Sequence, residues 1–72
     1  MLVNTNLLKA LLTENEHTAQ DYADILQCSL TTAYGRLNGL TEHSHTELYK
    51  VRQHYHLSTE RFIEIFFTPK VA

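Results

Sequence analysis

With 72 residues, the chain suits one domain with a small core, because a domain of this size buries only about 60% of the surface its unfolded chain exposes. Hydrophobic residues make up 43%, charged residues 19%, and the formal net charge is −2 with histidine neutral. That composition fits an ordinary globular fold, and its six Lys and Arg offer little to a polyanion such as DNA. No apolar run approaches the ~20 residues of a membrane helix. The start, Met1-Leu2-Val3-Asn4, lacks the basic region and long apolar stretch of a signal peptide, so a cytoplasmic location without membrane contact is expected. Cys28 is the single cysteine. It excludes an internal disulfide and a multi-cysteine zinc site, and is expected as a small buried hydrophobe.

Apolar residues recur at helical spacing and no run alternates with period two, so the expectation is all-α, one domain over 1–72 with its ordered core over 6–67. A first helix spans Asn6 to Thr13, with Leu7, Leu8, Leu11 and Leu12 as its stripe. The polar link Glu14-Asn15-Glu16-His17 follows. Thr18 caps the second helix, with Asp21 three residues on imitating a capping box. Tyr22, Ala23 and Leu26 form its inner face, and Gln27-Cys28-Ser29 makes a tight turn.

Ser29 caps the third helix, which turns Ala33 and Leu37 inward and ends at Asn38-Gly39, where Gly39 suits a left-handed position. Gly35 inside that helix costs about 1 kcal/mol against Ala, and its small size admits close approach of a neighbouring surface. Ser44-His45-Thr46-Glu47 is an S-x-x-E capping box opening the fourth helix, with Leu48, Val51 and Tyr55 inward and Tyr49 outward. Leu57 plugs back into the core. Ser58 caps the fifth helix, whose apolar residues Phe62, Ile63, Ile65, Phe66 and Phe67 occupy more than one side. Most are expected on the first helix, with the remainder forming an exposed patch for dimerisation or docking. Thr68-Pro69 stops this helix.

The stretch from Tyr22 to Gly39 carries the functional signal. Two short helices crossing steeply need a small residue at the crossing, supplied by Ala23, and an apolar plug after the turn, supplied by Cys28. Ala33 and Leu37 anchor the second of them, which pushes its opposite face outward as the reading head of a helix-turn-helix is pushed.

From Asn6 to Phe67 the sequence resembles the Xre/Cro/repressor-type helix-turn-helix family of phages and bacteria, without a gap from Tyr22 to Asn38-Gly39. The closing block, with Glu42, Thr46-Glu47-Leu48, Leu57-Ser58 and Glu64-Ile65-Phe66-Phe67, looks like the short Cro-position proteins of temperate phages of Gram-positive bacteria, a group that includes modulator-of-repression antirepressors. The resemblance implies a compact five-helix Cro/repressor-like domain. Two positions depart from the family pattern. Gln27 stands where the turn usually carries Gly; a left-handed backbone there would cost about 1 kcal/mol, so a slightly different turn is expected. Ala19 stands where the family often has a phosphate-touching Gln, with Gln20 the nearest substitute.

Two functions follow from the resemblance. In the first, the chain is a modulator of a lysis–lysogeny switch that docks on the DNA-binding domain of a cognate repressor through Asp24, Leu30, Thr31, Tyr34, Gly35 and Arg36. Aromatics and Arg are frequent interface anchors, and a basic partner complements the acidic balance. In the second, the chain is a Cro-like homodimeric repressor that contacts its operator through Gln20, Ser29, Thr31, Thr32, Tyr34 and Arg36. The weak positive charge favours the first.

The five histidines include His43-x-His45 and His54-x-His56, but residues two apart on a helix do not face each other, and no third ligand completes a site. All five are expected in solvent, and neither a metal nor another cofactor is expected. No nucleophile elbow, phosphate loop or carboxylate pair appears, so an enzyme is not expected.

Overall fold

In the computed structural model, which describes residues 3–67, every helix starts where a short polar side chain accepts an N–H of the first turn. Asn4 does so for α1 (Thr5–Glu14), Thr18 for α2 (Ala19–Leu26), Ser29 for α3 (Leu30–Leu37), Ser44 for α4 (His45–Tyr55) and Ser58 for α5 (Thr59–Phe66). Each such cap stabilises its helix by about 1 kcal/mol. Thr18–Asp21 and Ser44–Glu47 form reciprocal boxes, in which the acid accepts the N–H of the capping residue at 2.8 Å in both cases. The described residues thus form five helices and no strand. The stop at Thr68-Pro69 lies outside them.

α1 begins one residue earlier than the leucine stripe predicts, because Asn4 rather than a later residue caps it: its Oδ1 accepts the Leu7 N–H at 3.1 Å. Asn4 also donates its own N–H to the Ile65 carbonyl at 2.6 Å, which ties the start of α1 to the end of α5. The turn after α2 departs from the expectation of altered geometry. Gln27 adopts the left-handed conformation, φ 59°, that a glycine would take there. Local bonds offset the cost: Cys28 donates its N–H to Ala23 O at 3.0 Å, and Lys50 donates to the Gln27 side-chain oxygen. Gly39, at φ 73°, occupies the left-handed position expected after α3.

One apolar cluster unites the helices, built from Leu8, Leu11, Leu12, Tyr22, Ala23, Leu26, Ala33, Leu37, Leu48, Val51, Leu57, Ile65 and Phe66. The 100° step of a helix decides which apolar residues enter it. On α1, Leu8, Leu11 and Leu12 share the inner face and Leu7 is left at its edge. On α5, Ile65 and Phe66 are buried and Phe62 packs against the cluster, while Ile63, and Phe67 just after the helix, stay about half exposed. Tyr55 and Cys28 are half-buried against the core rather than within it.

His43 overturns the expectation that all histidines are solvated. Only 5% of its surface is exposed. Its Nε2 lies 2.7 Å from the Tyr22 hydroxyl, and its ring meets the Phe66 ring edge-on at 5.1 Å. The α3–α4 connection carries it there, over Tyr22, which is itself fully buried. A neutral imidazole has one donor and one acceptor nitrogen, so it can satisfy a buried hydroxyl at little cost, which a charged side chain could not do. Burial accordingly pushes the His43 pKa down to about 4, against the pull of Glu47 upward and with a further push down from Arg36. His17 also departs from solvent: it is half-buried, with Nδ1 2.7 Å from the Tyr55 hydroxyl.

Two measurements test this packing. The folded His43 pKa lies below its unfolded value near 6.5, so its contribution is complete above that pH and declines as pH falls toward 4. At about 1.4 kcal/mol per unit the full loss is roughly 3 kcal/mol. Urea unfolding between these pH values should show the decline, and His43→Gln should flatten it, most clearly above the range where carboxylates begin to protonate. On α5, Ile65→Ala should cost about 2–5 kcal/mol through the cavity it leaves, whereas Ile63→Ala should change stability by under about 1 kcal/mol.

Candidate functional site

α2 and α3 are joined by the three-residue turn Gln27 to Ser29 and pack together through Ala23, Leu26, Ala33 and Leu37. With those side chains inward, α3 presents Leu30, Thr31 and Tyr34 outward. Leu30 is 39% and Tyr34 51% exposed, and they stand one helical turn apart. Thr31 is exposed beside them. The three residues form a continuous, uncharged surface on the first turn and a half of α3.

Other residues expected at the site are occupied within the chain. The Ser29 hydroxyl accepts the Thr32 N–H at 3.2 Å and donates to the Thr32 hydroxyl at 2.9 Å, so both serve the N-terminus of α3. Gln20 donates its amide to Asp24 at 3.1 Å, along the exposed side of α2. Gly35 is half-buried: a Cβ there would lie 3.0 Å from the Thr41 hydroxyl. The surface that its small size admits is therefore the chain's own α3–α4 connection. The Gly35 carbonyl accepts the N–H groups of Leu40, at 2.9 Å, and Thr41, at 3.3 Å.

Arg36 differs most from a free reading residue. Its Nε donates to Glu47 Oε1 at 3.0 Å and its Nη1 to the Thr41 hydroxyl at 2.6 Å. The two ion-pair side chains are only 18% and 13% exposed. Burial works against the charge on Glu47, but the Ser44 N–H and the Arg36 guanidinium outweigh it and hold the carboxyl below its usual range. Arg36 is the only Lys or Arg between Lys9 and Lys50, so the permanent positive charge of the α2–α3 unit is already neutralised. On the neighbouring helix, Asp24 is exposed and Asp21 half-buried, and the Thr18 N–H holds the Asp21 carboxyl below its usual range. The region is neutral to acidic.

Sequence reasoning missed Thr41 and Glu47 as determinants of this surface. The capping-box spacing marks Glu47, but its second role appears only when α4 meets the end of α3. An open groove between α2 and α4, lined by residues including Ile25, Gln27, Tyr49 and Lys50, was likewise invisible to a reading of single helices. Among the described residues no three His, Cys, Asp or Glu side chains gather as metal ligands, and no helix is long and apolar enough to cross a membrane.

The arrangement separates structural from surface residues on one helix. Arg36→Ala should lower stability by about 1–3 kcal/mol, because it strips a mostly covered carboxylate of its partner. Tyr34→Ala should stay within about 0.5 kcal/mol. Urea titration of the two variants checks both values. In comparisons with known proteins, no family model matches the chain, and neither does a curated protein or a solved structure.

Proposed function

We propose that the chain is a helix-turn-helix regulator that acts as an antirepressor in a temperate-phage-type lysis–lysogeny switch in the bacterial cytoplasm. In this reading α2 and α3 are the two helices of the motif, and the outer face of α3 docks on the DNA-binding domain of a cognate repressor. One observation carries the choice of a protein over DNA: α3 exposes Leu30 and Tyr34 while its single cation, Arg36, is committed to Glu47. Phosphate contacts by Lys and Arg supply much of the affinity of DNA-binding domains, and this face has none to spare. Leu30 and Tyr34 instead suit a packed interface, where an aromatic and an aliphatic anchor exclude water. Asp24, exposed on the adjoining helix, complements the basic surface of a DNA-binding partner.

The roles within the proposed site follow. Leu30 and Tyr34 are the anchors, Thr31 and Asp24 supply polar contacts, and Arg36 and Gly35 support α3 from behind. The operator-binding alternative has less support, because Ser29, Thr32, Gln20 and Arg36 each have a polar atom engaged inside the chain.

Leu30→Glu tests the proposal. Leu30 lies outside the core cluster, so the variant should keep the helical circular dichroism of the parent. It should lose capture of the repressor domain by more than about 100-fold, the scale of a lost central anchor. Unchanged capture would remove this face from the interface. Specific, salt-sensitive binding of the unaltered protein alone to promoter DNA in a mobility-shift assay would favour the operator-binding repressor.

A further inference from the structure

We propose that Glu47 is the selectivity determinant of α3: by holding Arg36 against α4, it withholds from nucleic acid the one cation that helix possesses. The inference rests on the reading of this surface as a protein-docking face and adds the device that keeps it from acting as a DNA reader.

The geometry carries it. One oxygen, Glu47 Oε1, accepts both the Ser44 N–H at 2.8 Å and the Arg36 Nε–H at 3.0 Å. The Thr41 hydroxyl takes a second guanidinium N–H at 2.6 Å. Arg36 is thus held from the α3–α4 connection and from α4 at once. Little of either charged side chain meets water. For Arg36 to reach a phosphate, Glu47 would have to remain behind, largely covered and without its cation, and that is costly. The other described cations lie outside α3 and have contacts of their own in three of four cases. Lys50 donates to Gln27, Arg52 donates to Thr59 and lies over the Phe62 ring, and Arg61 pairs with Glu14. Lys9 sits on α1. No second cation on α3 can take Arg36's place.

Glu47→Gln is the informative change. Glutamine serves at the third position of a capping box as glutamate does, so α4 keeps its start, while Arg36 loses its counter-charge and becomes available. Glu60→Gln on α5 removes the same charge from an exposed position and serves as the control. Binding to a random-sequence DNA duplex is read by fluorescence anisotropy at about 50 and 200 mM salt. Glu47→Gln should bind about threefold or more tightly than Glu60→Gln at the lower salt. That gain should shrink by about threefold at the higher salt, as one added phosphate contact requires, and the double variant Glu47→Gln/Arg36→Gln should lose it. In the otherwise unaltered protein, Arg36→Gln should change duplex affinity by less than about twofold, which tests the withholding even if Glu47→Gln fails to fold.

Capture of the repressor domain by the unaltered protein is measured alongside. Equal binding by Glu47→Gln and Glu60→Gln, with capture intact, overturns this inference and leaves the docking reading standing. Duplex binding by the unaltered protein that Arg36→Gln abolishes overturns both.

Discussion

A single carboxylate organises the part of the molecule that faces outward. Glu47 completes the capping box that starts α4, and with the same oxygen it holds the Arg36 guanidinium at the end of α3. The α3–α4 connection lies between those two points, and its Thr41 hydroxyl is bound to the same guanidinium and fills the space beside Gly35. Removing the Glu47 side chain would therefore leave three things less determined: the first turn of α4, the path of the connection, and the place of Arg36. A mostly covered ion pair of this kind contributes little net stability, because the loss of hydration opposes the attraction. Its effect lies in specifying one arrangement of the chain.

The inner side of the same connection is fixed by a different chemistry. His43 reaches inward to Tyr22 and Phe66, so the connection is held outside by charge and inside by a neutral hydrogen bond. A small domain has few residues to spend on its core, and here a loop residue enters the core where a larger protein would use another helix. Tyr22 brings a large ring and a hydroxyl that needs a partner; His43 supplies one while remaining uncharged at neutral pH. The α3–α4 connection thereby becomes part of the packed structure and supports the C-terminal end of α3.

The exposed face of α3 is small, formed by Leu30, Thr31 and Tyr34. Leu30 and Tyr34 protrude beside the exposed Thr31, while Thr32 is bound to the capping Ser29 and Arg36 is held by Glu47. The face's lack of available positive charge separates it from surfaces that grip a phosphate backbone. The acidic groups nearby, Asp21 and Asp24, add to the same bias. The half-exposed Ile63 on α5 and Phe67 just after it are a separate feature. Helical periodicity accounts for Ile63, since four apolar residues on one short helix cannot all face the core.

The sequence by itself determined the five helices, four of them through starts written in local chemistry: Thr18 with Asp21, Ser44 with Glu47, and single polar caps at Ser29 and Ser58. It determined most of the core through spacing, from Leu8, Leu11 and Leu12 to Leu48 and Val51. It also put Leu30, Thr31 and Tyr34 on the outer side of α3, since Ala33 and Leu37 had to face inward. Tertiary structure decided what depends on residues distant in the chain. His43 looked like one more polar loop residue until Tyr22, 21 positions away, offered it a buried hydroxyl. Arg36 read as an outward cation until Glu47, 11 positions on, came within reach of it. Gln27 made a slightly different turn the expectation, yet it adopts the left-handed conformation among its neighbours' hydrogen bonds. Caps and periodicity act over three or four residues and can be read along a line, whereas the partner of a charge or a buried hydroxyl is known only after the chain has folded back on itself.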